Sequence, residues 1–195
     1  MRLASRSWPW ALNVLVAAFI GGALLAPVLE RIGLSNGASA IYSLYHLTCH
    51  QWAFRSFFLF GSQVVYGHEQ LDALSVDPYT FTGTPDLGWK LAFCERDLAI
   101  YLAALAVGLW FAQHRDMQAM SVKVFALLIL PMALDGFTQL FGWRESTWEL
   151  RVLTGVLFGA ASAWFLYPRF EVAFGGEANA RPYPPENVCA PQPPR

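Results

Sequence analysis

The run from Val122 to Phe141, VKVFALLILPMALDGFTQLF, decides how the rest of the chain is read. It is long and apolar enough to cross a bilayer as a helix, which takes about 20 residues. Yet Asp135 and Gln139 stand inside it, one helical turn apart. A carboxylate at that depth costs about 2.5–3.5 kcal/mol on insertion scales, so by default it marks a buried functional site. Pro131, a turn before Asp135, lacks an amide hydrogen, frees a carbonyl and bends the helix.

Composition agrees with a membrane protein. Of 195 residues, 55% are hydrophobic, 15% aromatic and only 14% charged, where a soluble domain carries roughly 25% charged residues. Mean hydropathy is +0.36. The net charge of −1 gives no basic surface for nucleic acid. No P-loop, dinucleotide-binding glycine motif or H-E-x-x-H occurs, which removes the common soluble-enzyme signatures.

Working outward from Val122–Phe141, three further runs qualify as spans: residues 11–29, 96–113 and 151–167. Arg2 and Arg6 precede the first, with Trp8 and Trp10 placed for an interface. Ala38-Ser39-Ala40 has the form of a signal-peptide cleavage site. It lies too far beyond an apolar run already longer than a usual h-region, so the first run reads as an uncleaved span. Residues 40–60 are aromatic-rich but hold His46, Cys49, His50, Gln51 and Arg55. They read as an interfacial or re-entrant helix, which leaves four spans, or as a fifth crossing. With four spans and the N-terminus inside, Arg2, Arg6, Arg115, Lys123 and Arg169 all face the cytoplasm. That balance favours four, with both termini cytoplasmic and the protein in the cell membrane.

The expected fold is thus an all-α transmembrane bundle forming a single domain over residues 1–170. Residues 61–89 are too polar to cross and read as an external loop. Residues 171–195 are Gly-, Ala- and Pro-rich and read as a disordered tail. Small residues recur every fourth position at Ala18-Gly22-Ala26, Ala104-Gly108 and Gly155-Gly159-Ala163. Such spacing lets backbones approach closely, in bundle packing more readily than in dimerisation.

Two constellations could carry chemistry. His46, Cys49 and His50 are spaced i, i+3, i+4, so on a helix they share a face. Cys94 and Asp97, at i, i+3, stand at the mouth of the next span. In the four-span topology both groups lie on the same side, and Cys49, His50, Cys94 and Asp97 could then hold zinc or copper. A Cys49–Cys94 disulfide and inert packing of two small buried residues are the other readings of the same pair. The second constellation gathers around Asp135 and Gln139, with Arg144, Glu145 and Arg151 following. Arg144 or Arg151 is placed to pair with Asp135, as a latch between helices or as a relay. Gln51, Arg55 and Arg96 complete the expected buried polar cluster.

The residues quoted carry a resemblance. Cys49-His50-Gln51, Arg55-Ser56-Phe57-Phe58, Phe60-Gly61, Cys94-Glu95-Arg96-Asp97, Ile100-Tyr101, Pro131, Asp135-Gly136, Gln139, Gly142, Arg144-Glu145-Ser146, Arg151 and Thr154-Gly155 resemble, in order, a family of uncharacterised small multi-pass membrane proteins, domain of unknown function 2085. The likeness covers roughly residues 44–167. It implies a membrane bundle without naming a reaction. Many similar sequences have C-x-R-C where this chain has Cys94-Glu95-Arg96-Asp97, which exchanges a thiol for a carboxylate and weakens a site for Cu(I). Residues 63–91 look like an insertion relative to that pattern.

Three functions follow as expectations. The first is transition-metal binding or handling at the outer end of the bundle. The second is an accessory subunit of a membrane complex, stapled by Cys49–Cys94. The third is a membrane enzyme acting on a lipid or isoprenoid headgroup through Asp135, His50 and Arg144 or Arg151. No nucleophile–base–orienter arrangement is visible, so binding is expected ahead of catalysis. The bilayer and other membrane subunits are the expected partners.

Overall fold

The computed structural model describes residues 2–175 of the chain. Four long helices form the body: α1 (Arg2–Arg31), α4 (Glu95–Gln113), α5 (Val122–Leu140) and α6 (Trp148–Gly175). Between α1 and α4 the chain builds a small layer from α2 (Ser35–Tyr45), a 3-10 turn (Ala53–Arg55), β1 (Phe58–Leu59), α3 (His68–Ala73), β2 (Gly83–Thr84) and β3 (Gly88–Lys90). The strands form one antiparallel sheet in the order β1-β3-β2. The fold is therefore mostly helical rather than all-α.

Among the described residues, three helices are long and apolar enough to cross a membrane: Ser7–Arg31, Val122–Leu140 and Trp148–Ala173. Their ends are legible in local chemistry. α1 closes on Gly33, whose φ of 81° lets the Leu34 N–H reach back to the Leu29 carbonyl at 2.9 Å. Gly142 (φ 68°) does the same for α5, the Trp143 N–H donating to the Thr138 carbonyl at 3.0 Å. Both are Schellman closures, which need a left-handed residue that glycine supplies without a Cβ clash. α5 begins at Ser121, whose hydroxyl accepts from the Val124 N–H at 3.3 Å.

The long helices alternate in direction. Trp8 of α1 meets Phe111 of α4 and Phe170 of α6, each at 6.1 Å, while Ala92, just before α4, donates to the carbonyl of Ala23 in α1. α4 and α6 run parallel, with α5 antiparallel beside them. The first turns of α1 and the last of α6 consequently share one end of the bundle. α4 lies between α1 and α6, and α5 packs mainly on α6. Small residues set these contacts: a Cβ on Gly155 or Gly159 would run into the carbonyls of Arg96 or Ile100, and one on Gly108 into the side chains of Asn13 and Tyr167.

Residues 40–60 depart from expectation. The helix stops at Tyr45, and its 11 residues measure about 16 Å, half the apolar thickness of a bilayer. The chain then turns through Gln51 at φ 54°, so residues 40–60 do not form one continuous helix of spanning length. Off the helical path, Gln51 donates to the Tyr42 carbonyl and Arg55 reaches Glu145. Residues 61–89 are likewise more than a loop. They carry α3, β2 and β3, and Tyr66 and Leu71 join Ala53, Phe54 and Phe58 in a separate small core. At the C-terminal end, α6 continues through residues 171–175, which corrects the start of the expected tail. Residues 176–195 lie outside the described residues.

Candidate functional site

Two chain segments far apart in sequence meet where α2 unwinds and α4 begins. The Tyr42 hydroxyl donates to the Lys90 carbonyl at 2.6 Å. The Lys90 ammonium donates to the Gln51 carbonyl at 2.6 Å, and the Gln51 amide donates to the Tyr42 carbonyl at 2.9 Å. Leu91 and Ala92 are tied by backbone hydrogen bonds to Phe57 and Ala23. These ties fix the residues on either side of Cys49 and the approach to Cys94.

Cys94 is the N-cap of α4, its sulfur accepting from the Asp97 N–H at 3.4 Å. Cys49 Sγ accepts from the Cys94 N–H at 3.3 Å. Both thiols are free, Cys49 buried and Cys94 half-buried. Their sulfurs and an Asp97 carboxylate oxygen lie within 4.8 Å of one another. A tetrahedral zinc with bonds of about 2.3 Å holds its sulfurs about 3.8 Å apart, so closing the trio on an ion takes a shift of about 1 Å or less.

The hydrogen bond to Cys49, and then burial, push the Cys94 thiol up. Burial also pulls the Lys90 ammonium down to about 8, against a partial lift from Cys49 and Asp77. A buried ammonium thus stands close enough to Cys49 to interact with it. Sequence reading missed it, because a lysine in a short Gly-Trp-Lys strand looks like an ordinary edge residue.

The structure does not bring every expected ligand here. His50 is exposed, its ring 5.4 Å from Trp52, and is no member of the cluster. His46, also exposed, caps α2. The i, i+3, i+4 argument presumed a helix that ends at Tyr45. Gln51 belongs with Lys90 rather than with the arginines.

The second constellation assembles at the same end of the bundle. Asp135, 2% exposed, receives hydrogen bonds from Arg96, from Arg144 at 2.6 Å, and from Gln139 and Ser146 at 3.1 Å each. Alongside it Glu95, wholly buried, pairs with Arg151 at 2.9 Å. Arg151 and Arg55 each reach Glu145 at 3.4 Å. Of the two candidate partners for Asp135, then, Arg144 takes the place and Arg151 goes to Glu95 and Glu145. Glu95 and Ser146 are participants that sequence reading had quoted but not assigned. Four guanidiniums face three carboxylates in this network, and Nε of Arg55, Arg96 and Arg151 and one Glu95 oxygen are buried without a hydrogen-bond partner.

A family model described as "Predicted membrane protein (DUF2085)" matches residues 87–165. That stretch carries Lys90, Cys94, Asp97 and the arginine network from Glu95 to Arg151. An uncharacterised protein of Methanocaldococcus jannaschii is 30% identical over 155 residues, covering 75% of this chain and 81% of the relative. An uncharacterised protein of Methanothermobacter thermautotrophicus is 41% identical over 77 residues, 39% of this chain and 69% of the relative. No solved structure matches the chain significantly.

Proposed function

The chain belongs to the DUF2085 family of predicted membrane proteins, and from that premise we propose that it is a multi-pass protein of the cell membrane that binds a transition-metal ion at Cys49, Cys94 and Asp97. One observation carries this reading: three ligand atoms from two distant segments lie within 4.8 Å of one another. Two thiolates and a carboxylate suit zinc, with the fourth tetrahedral position open to water or to an exchanging ligand. The carboxylate makes copper(I) the weaker candidate, because that ion prefers an all-sulfur set.

In this reading α1, α4, α5 and α6 all cross the bilayer. Arg115 and Arg169 lie at the end shared by the start of α1 and the end of α6, where Glu171 takes hydrogen bonds from Trp8 at 2.9 Å and from Arg115 at 2.8 Å. By the positive-inside rule that end is cytoplasmic, which puts the thiol cluster and the arginine network at the outer surface.

Elemental analysis of detergent-purified protein, with a free-thiol count on the same sample, tests the assignment. The expected content is about one zinc ion per chain, the stoichiometry of a single tetrahedral site, and Cys49→Ser should abolish it. Since metal displaces the thiol protons and the Cys94 thiol is pushed up, apparent affinity should climb between pH 7 and 9. The gain is about tenfold per pH unit for each proton released. Metal content no higher than in Cys49→Ser would sink the proposal. A covalently bonded Cys49–Cys94 pair in the non-reduced protein would replace it with the staple reading.

A further inference from the structure

α5 is the least covered of the long helices. Leu127, Leu130, Leu134, Phe137 and Leu140 on it are all exposed. Beside that face runs a groove of about 300 Å³, walled by Ile129, Met132, Ala133 and Gly136 of α5 and Phe158 of α6, with Arg96 as its polar member. From Ile129 to Leu140 it follows α5 for about 16 Å. Ligand pockets run from about 300 to 1,000 Å³, so this one suits a single apolar chain better than a bulky molecule.

The polar residue in the groove wall, Arg96, is cationic, and Arg144 joins it through a shared acid rather than as part of the wall. Arg96 and Arg144 both hydrogen-bond to the single carboxylate of Asp135, which neutralises one of two positive charges. Arg144 remains 42% exposed, and Nε of Arg96 has no partner. Arginine donors in that state match phosphate oxygens in charge and geometry. Arg96 also lies in the first turn of α4, a depth at which a headgroup and not an acyl tail is found.

We infer that the α5–α6 groove is a lateral binding site for an anionic glycerophospholipid, one acyl chain lying along α5 and the phosphate held by Arg96 and Arg144. The site is independent of the thiol cluster. Gly136 provides a way to close it: the residue lines the groove, and a Cβ there meets nothing within 4 Å, so an added side chain starts in open space. Replacing a mid-helix glycine also favours the helix.

Native mass spectrometry of the detergent-purified chain, exchanged into phosphatidylglycerol or phosphatidylcholine, reads the site directly. The expected result is a monomer retaining about one phosphatidylglycerol, favoured about tenfold over phosphatidylcholine, whose quaternary ammonium offsets its phosphate charge and is repelled by the two arginines. Gly136→Leu should reduce that retention about tenfold, with the thermal midpoint not lowered and metal content unchanged. Arg144→Gln should lose the headgroup preference. Equal retention of both lipids, undiminished retention in Gly136→Leu, or a dimer carrying no lipid would each overturn the assignment. The last would give the groove to a second copy of the chain.

Discussion

Asp135 is one carboxylate with four side chains donating to it, drawn from α4, α5 and the turn into α6. In a medium of low dielectric such a group gains from each donor, but losing it leaves Arg96 and Arg144 facing each other uncompensated. Asp135→Ala should therefore lower unfolding free energy by about 3–5 kcal/mol. Gln139→Leu, which removes one neutral donor from a charged acceptor, should cost about 1.5 kcal/mol. Denaturant unfolding in detergent compares the two, and equal losses would show that the carboxylate does not organise this end of the bundle. Part of this arrangement was readable in advance. Asp135, Gln139 and Arg144 lie within ten residues, and an intramembrane charge calls for a nearby partner. The pairings of Arg96 with Asp135 and of Glu95 with Arg151 span 39 and 56 positions, and no local pattern encodes which arginine finds which acid. His50 fails for a different reason. Shared-face arithmetic holds only while the backbone is helical, and here it turns at Gln51 to satisfy Lys90.

The four long helices were legible as elements because apolar runs of helical length have few other stable solutions in a bilayer. The layer between α1 and α4 was not. Its strands are two or three residues long, too short for a period of two to emerge from a polar, glycine-bearing stretch. Close helix packing was foreseeable from small residues at i, i+4, and the structure uses Gly155 and Gly159 of α6 to receive the backbone of α4. A side chain on Gly159 would meet the Ile100 carbonyl, and main chain cannot move aside as a flexible side chain can. Gly159→Val should thus force α4 from α6 and cost about 3 kcal/mol or more, the upper part of the overpacking range. Gly21→Ala on α1, where an added Cβ meets nothing within 4 Å, should be neutral or stabilising by up to about 1 kcal/mol. Thermal unfolding of the two variants in one detergent makes the comparison. Indistinguishable midpoints would mean that the α4–α6 approach contributes little.

For the whole molecule the open question is α4, whose 19 residues start Glu95-Arg96-Asp97 and which is not one of the three helices long and apolar enough to cross a membrane. Its register against α6 bears on it. Glu95 pairs with Arg151 at one end and Phe111 with Tyr167 at the other, the same 56-residue offset at both. α4 and α6 therefore advance together over their shared length. If α6 crosses the bilayer, α4 occupies the same depths and crosses with it. At 1.5 Å per residue α4 is about 28 Å long, close to the roughly 30 Å apolar thickness. Its charged first turn is accommodated because Arg151, Asp135 and the cysteine pair wait for it at that end. Only α4 separates α3 from the α4–α5 connection among the long helices, so two reporters decide the matter. In a chain with its native cysteines replaced, Asp72→Cys and Gln118→Cys, both at exposed positions, should react with a membrane-impermeant thiol reagent from opposite sides. Asp72→Cys should label in intact cells, and Gln118→Cys only after permeabilisation. Labelling of both from one side would remove α4 from the bilayer and, with it, the placement of Cys94 and Arg96 at a membrane surface.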